Sequence, residues 1–177
     1  MTDVVFAEVP AEAALDPKMR ADLLETWVAA SDAGGSVGFT PPTPVDQVAV
    51  ALDFGLDRVA SGLDAMGILR TDGRAVGMGM LVSRDPRLGP HWRTVLRVMV
   101  HPAFQGKGAG SLLMNGLHDL GRSIGLEHLQ LTVRDGEGLE NFYQHFGYVV
   151  TGRHPGAIRV APGHDRDEVM MVARLAD

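Results

Sequence analysis

Between an apolar run, Val95–Val100, and an amphipathic stretch beginning near Ser111 lies the segment Gln105, Gly106, Lys107, Gly108, Ala109, Gly110. Residues of these types at the start of a helix can hold an anion. The first helical turn leaves backbone N–H groups without partners and carries partial positive charge. Glycines let a diphosphate approach those groups closely. Lys107 adds a point charge, and it is one of only two lysines in the chain, the other being Lys18. The same spacing also suits a plain tight turn with Lys107 solvated. Two better-known phosphate loops do not fit. No GxxxxGK[ST] string occurs. The glycines at 106, 108 and 110 give GxGxG where a dinucleotide fingerprint needs GxGxxG, and Glu127 opens the following strand where that fingerprint wants an acid at its end.

The pattern that does match is Q/R-x-x-G-x-G/A, satisfied by Gln105 through Gly110. With the preceding VMVHP and the later NFYQHFGY, it resembles the GNAT superfamily of acyl-CoA-dependent N-acetyltransferases. The resemblance rests on motifs from about Val95 to Val150 and on element order elsewhere. Short strings, GGSVGF at Gly34–Phe39 and a GxxPG segment at Gly152–Gly156, resemble tabtoxin-resistance-type acetyltransferases within it. The resemblance implies acetyl-CoA as co-substrate and no metal. Gln105, Gly106, Lys107, Gly108, Ala109, Gly110 and Ser111 would hold the coenzyme A diphosphate. Val98, Met99 and Val100 would pair their backbone with the pantetheine arm, and the next strand, around Leu129–Val133, would splay away from them.

Acetyl transfer from a thioester to an amine needs a base, an oxyanion donor and help for the departing thiolate. An alkyl ammonium is only about one part in a thousand neutral at pH 7, so a base matters. The chain has no cysteine, which implies direct attack and excludes a cysteinyl acyl-enzyme. Tyr143 matches the family tyrosine near the CoA sulfur and is assigned as general acid; at i+4 from Leu139 it also suits a core aromatic. The resembled subfamily places carboxylates on the two central strands, but here Thr94 and Thr132 stand there. His101 is the candidate base on its near-neutral intrinsic pKa, against the plainer role of a loop histidine before Pro102. Asp135 and Glu137 are alternatives, with Asp135 also suited to capping the next short helix. Asp32, Ser36, Phe39 and Trp92 are the candidate acceptor-binding residues, from Ser31–Phe39 and the His91–Trp92 connector. A loop over Gly152–Asp167 is expected to complete the wall. The histidines show no metal-ligand spacing, and His154 and His164, flanking a loop with Asp165 and Asp167 that could bind a cation or an amine, read with those acids as solvated loop groups.

These groups need a scaffold, and the patterning supplies one. Val4–Val9 reads as a strand, and Asp16-Pro17 as a helix start. Ser31–Pro44, with three glycines and three prolines, must be a loop. A second helix is expected over Val45–Leu63, then a hairpin of Met66–Thr71 and Ala75–Val82 turning at Asp72-Gly73. Val95–Val100 reads as a strand buried on both faces. Leu113, Leu117, Leu120 and Ile124 form one helical stripe, stopped by Gly125. Leu129, Leu131 and Val133 alternate with polar residues as a strand. A short helix follows around Leu139–Phe146, and Tyr148–Thr151 and Glu168–Leu175 are the last strands. The fold class is α/β with a central mixed, mostly antiparallel sheet, flanked by helices, in one domain over 1–177.

Composition narrows the partners. Sixteen basic against 22 acidic residues give a net charge of −6, which argues against nucleic acid and suits a cationic amine acceptor. No apolar run approaches the roughly 18 residues of a membrane span, and the N-terminus does not read as a signal peptide, so a cytoplasmic enzyme acting on a small-molecule amine is expected. A peptide or protein N-terminus as acceptor, or a CoA-binding sensor without turnover, are the rival readings. Homodimerisation through the C-terminal strands is common in such folds.

Overall fold

In the computed structural model, which describes residues 3–175, the chain runs β1 (Val5–Glu8), α1 (Pro17–Asp32), α2 (Val45–Ala60), β2 (Ala65–Thr71), β3 (Arg74–Val82), β4 (Trp92–Val100), α3 (Ala109–Ser123), β5 (His128–Arg134), α4 (Leu139–Gln144), β6 (Val149–Ala161) and β7 (His164–Arg174). The strands form one sheet in the order β1-β2-β3-β4-β5-β7-β6. Every neighbouring pair is antiparallel except β4 and β5. Two cores sandwich this sheet. Leu113, Leu117 and Leu120 of α3 meet Val95, Leu131, Val169 and Met171 on one face. Trp27 and Leu23 of α1 and Leu52 and Leu56 of α2 cover Met66, Met78, Met80 and Met99 on the other.

Local chemistry explains the element ends. Asp16 caps α1 by accepting from the Met19 amide at 2.6 Å, the role its side-chain oxygen is suited to. Gly125 stops α3 with φ +80°, a conformation that favours glycine. Of the expected α3 stripe, Leu113, Leu117 and Leu120 are buried, whereas Ile124 follows the last helical residue and is exposed. Among the described residues, no helix is long and apolar enough to cross a membrane.

Two expectations need correction. The Gly152–Asp167 segment is not a loop: β6 and β7 form a long hairpin turning at Pro162-Gly163. Pro155 and Gly156 read as breakers, but β6 is the sheet edge, where a missing N–H costs no ladder bond. The irregularity is absorbed by a register shift between His154 and Ile158. Asp135 does not cap α4, whose N-cap is Gly138. Its carboxylate instead accepts from the Asp167 amide at 2.9 Å, tying the end of β5 to β7.

The feature that makes room for a site is the parallel pair. β4 and β5 are in register only at Trp92–His128, Arg93–Leu129 and Thr94–Gln130. Beyond Thr94 the ladder ends, so the sheet opens between Val95–Val98 and Leu131–Arg134. β4 also bulges there. Met80 is opposite Leu96 and Met78 opposite Met99, so Arg97 and Val98 together face Gly79. Arg97 takes φ +57°. A bulge of this kind re-aims a side chain and frees backbone groups from the ladder.

Candidate functional site

Two cavities meet at the opening. The first, about 530 Å³, runs over Val98, Met99 and Val100 and past Gln105, Gly106, Gly108, Gly110 and Ser111, with Phe142 and Tyr143 on its far side. The second, about 380 Å³, lies in the gap between β4 and β5 and is closed by the Ser36–Thr40 loop and by Ile158–Val160 of β6. Ser36, Val37, Val98, Leu139 and Tyr143 line both. The two cavities therefore adjoin at these residues, Val98 of β4 and Tyr143 of α4 among them.

The first cavity has the character of an anion cradle. Gly106 and Gly108 take φ +77° and +81°, and no atom lies within 4 Å of where a Cβ would stand on either. Gly108 is the N-cap of α3 and supplies no side-chain cap, so the first-turn amides remain available to a ligand. The Gln105 side chain donates to the Val100 carbonyl at 2.8 Å and clips the loop to the end of β4. Lys107 is exposed on the same turn, and Ala109 is buried beneath it. Neither lines the cavity.

Tyr143 projects from α4 into the junction of the cavities and is 9% exposed. Its ring packs edge-on against Phe142 and Tyr148 at centroid distances of 5.1 and 5.7 Å. Burial pushes its phenol up to about 12, because a phenolate would lose its hydration there. It stays protonated throughout the neutral range. Behind it, Tyr148 and His118 are buried and bonded to each other at 3.3 Å.

The second cavity contains three arginines and one carboxylate: Arg97, Arg134, Arg159 and Glu168. Arg159 is held by both oxygens of Asp165 at 2.8 Å, and Arg134 by Glu137, which also accepts from Ser36. Among the described residues, no side chain pairs with Glu168, and no carboxylate pairs with Arg97. Glu168 lies on β7, opposite Arg134 in register. Sequence reading passed over both residues. Arg97 did leave a signal, as the one charge in the apolar run Val95–Val100. Glu168 left none beyond its place at a strand start.

The other expected residues are distributed as follows. Ser36 and Phe39 line the second cavity. Asp32 lines neither cavity and accepts from the amide and hydroxyl of Thr43, at 3.1 and 2.5 Å, pinning the α1–α2 loop. Trp92 opens β4 beside His128, at the closed end of the strand pair. His101 lines neither cavity; its Nδ1 accepts from the Ala103 amide at 3.2 Å and its Nε2 lies 3.9 Å from Glu25. Thr132 lines the second cavity, while Thr94 is buried with its hydroxyl unpartnered. Asp165 and Asp167 are paired with Arg159 and Arg153. No cluster of metal-ligating side chains occurs among the described residues.

This architecture is shared with solved structures. The acetyltransferase of GNAT family from Streptococcus pneumoniae superposes with a TM-score of 0.76 at 16% identity, over 97% of this chain and 99% of that one. The structure of yncA from Salmonella typhimurium with its cofactor acetyl-CoA gives 0.74 at 18% identity, over 98% and 95%. An aminoglycoside 6'-N-acetyltransferase complexed with coenzyme A gives 0.72 at 14%, over 98% of both chains. No curated protein sequence matches significantly. A sequence model of the acetyltransferase (GNAT) family matches residues 21–148, a stretch that includes the whole β4–α3 cradle, the strand opening and Tyr143. On that match the chain belongs to the acetyltransferase (GNAT) family.

Proposed function

We propose that the protein transfers the acetyl group of acetyl-CoA directly to the amine of a small molecule. The observation that carries this reading is the junction of the two cavities at Val98 and Tyr143. A donor in the first and an acceptor in the second would meet where β4 bulges and a protonated phenol waits. Two relatives of the same fold hold acetyl-CoA or coenzyme A, and the residues here fit that ligand. The diphosphate would lie on the amides of 106–111, with the glycine faces clear. The pantetheine arm would lie along Val98–Val100.

In this scheme the amine nitrogen forms a bond to the thioester carbonyl carbon and the carbon–sulfur bond breaks. Backbone N–H groups freed at the Arg97–Val98 bulge polarise the carbonyl oxygen. Glu168 takes the role of base, since it is the unpaired carboxylate of the acceptor cavity and His101 stands outside both. Of the two protons the ammonium loses, one passes through Glu168 to solvent and the other ends on the thiol. Tyr143 hydrogen-bonds the sulfur as it departs. With the phenol at about 12 against about 8.5 for an ordinary thiol, equilibrium leaves the proton on the tyrosine. Its contribution is therefore charge stabilisation more than complete proton donation.

The test pairs calorimetry of acetyl-CoA binding with thiol release across a panel of amines. Acetyl-CoA binding followed by amine-dependent release is expected. Binding without release from any amine would favour a sensor, and absence of binding would overturn the reading.

A further inference from the structure

Arg97 carries the feature that acetyl transfer leaves unexplained. Along β4, Val95, Val98 and Val100 face the α3 core while Met99 faces α1. Arg97 is the residue inserted by the bulge, and its left-handed φ turns its side chain to the α1 side. There the guanidinium lies 4.8 Å from the Trp27 ring centroid. One of its nitrogens donates to the Val37 carbonyl at 3.0 Å, an oxygen that also accepts from the Trp27 indole at 3.0 Å. Gly38 yields the space, because a Cβ there would collide with the guanidinium. A planar cation is thus fixed by an aromatic face, a carbonyl and a glycine.

None of these partners is an anion. Burial shifts the Arg97 pKa downward, and no carboxylate among the described residues pairs with it. An arginine has five N–H donors, and here the bond to Val37 uses one. A partly desolvated cation without a counter-charge is costly, and the fold spends a strand bulge and a left-handed residue to place it. On the same face of the sheet, Glu168 lines the same cavity unpaired. The other two arginines of that cavity are already neutralised by Glu137 and Asp165.

We infer that the acceptor is a carboxylate-bearing amine of amino-acid or short-peptide size, its ammonium received by Glu168 and its carboxylate by Arg97. This deepens the acetyltransferase reading and rests on it. The chain's net charge of −6 suggested a cationic acceptor, but the unpaired charges in the cavity are one of each sign. Guanidinium and carboxylate match as planar, bidentate partners, and Arg97 would orient the amine by its far end.

The experiment compares the twenty L-amino acids with their carboxamides as acceptors, in wild type, Arg97→Gln and Arg97→Lys, with acetyl-CoA binding measured in parallel. In the wild type, kcat/KM for the favoured free acid should exceed that for its carboxamide at least about tenfold. Arg97→Gln should lower that ratio at least about tenfold from its wild-type value, and Arg97→Lys should retain part of it. The ratio is taken within each variant, so a loss of folded fraction cancels, and amidation changes the amine's own basicity identically in all three. Preference for carboxamides or simple amines in the wild type, or a ratio untouched by Arg97→Gln, would overturn this inference and leave acetyl transfer standing. Bound acetyl-CoA with no acetylation of acids, carboxamides or carboxylate-free amines would overturn both.

Discussion

Gly38 and Arg97 occupy adjoining space that tolerates no side chain between them: a Cβ built on Gly38 falls on the guanidinium. Gly38 also has φ +99°. Gly38→Ala is therefore expected to be strained twice, by its backbone angle and by the collision. It should cost about 1–3 kcal/mol of stability and raise the acceptor KM, as Arg97 is driven from the cavity. Acetyl-CoA affinity should hold, because Gly38 does not line that cavity. Thermal unfolding, acceptor KM and acetyl-CoA calorimetry on the one variant would check the three parts.

Tyr143→Phe should lower kcat by about 10²-fold or more while acetyl-CoA affinity changes little. An equal loss of both would assign the ring to packing alone. The phenol also has an alkaline signature. Its folded pKa, about 12, lies above the ordinary value of 10.0, so the folded state keeps a proton that the unfolded chain gives up. Stability from this group is complete below pH 10 and is lost as pH rises from 10 to 12, by roughly 3 kcal/mol. Tyr148 is shifted in the same direction by its own burial and adds to the loss. Tyr143→Phe should unfold less steeply than wild type over this window, read by circular dichroism against pH.

Glu168→Gln should reduce kcat/KM for the acceptor by about 10²-fold or more, with acetyl-CoA binding retained. His101→Ala should leave acetyl transfer within about twofold, since the side chain lines neither cavity and substitutions away from a site usually change free energies by about 0.5 kcal/mol or less. The reverse ranking, with His101→Ala the more damaging, would return the role of base to the histidine.

Gly108→Val places a β-branched side chain at φ +81° and into the space above the α3 amides. Acetyl-CoA affinity should fall more than about tenfold. The rise in Tm that saturating acetyl-CoA gives the wild type, which follows from ligand binding to the folded state alone, should largely disappear. Unchanged affinity would remove this loop from the donor site.

Elements governed by short-range rules could be read from the chain. The glycines at 106 and 108, the Leu113, Leu117 and Leu120 stripe of α3 and the Gly125 stop depend on residues a few positions apart, and each stands where its spacing implied, with Ile124 alone falling outside the stripe. So do the α1 cap at Asp16 and the β2–β3 turn at Asp72-Gly73. Breakers misled where the partner mattered more than the residue. Pro155 ends a strand only if a neighbour needs its N–H, and at the outer edge of β6 none does.

The chain by itself determined the cradle at 98–111: a strand, a glycine turn and a helix start are consecutive in sequence, so its form follows from local order. The cavity proposed for the acceptor was decided only in three dimensions. Asp32 and Trp92 looked available because their partners, Thr43 and His128, are recognisable only once the chain is folded, whereas His101 is engaged locally, by the amide of Ala103 two residues on. Arg97 and Glu168 are more than seventy positions apart. What joins them is a one-residue bulge, which selects the face Arg97 occupies, and the β5–β7 register, which sets Glu168 beside the opening. Residue type supplies a charge; whether that charge is neutralised depends on tertiary neighbours, and among the described residues Arg97 and Glu168 find no partner of opposite charge in this cavity.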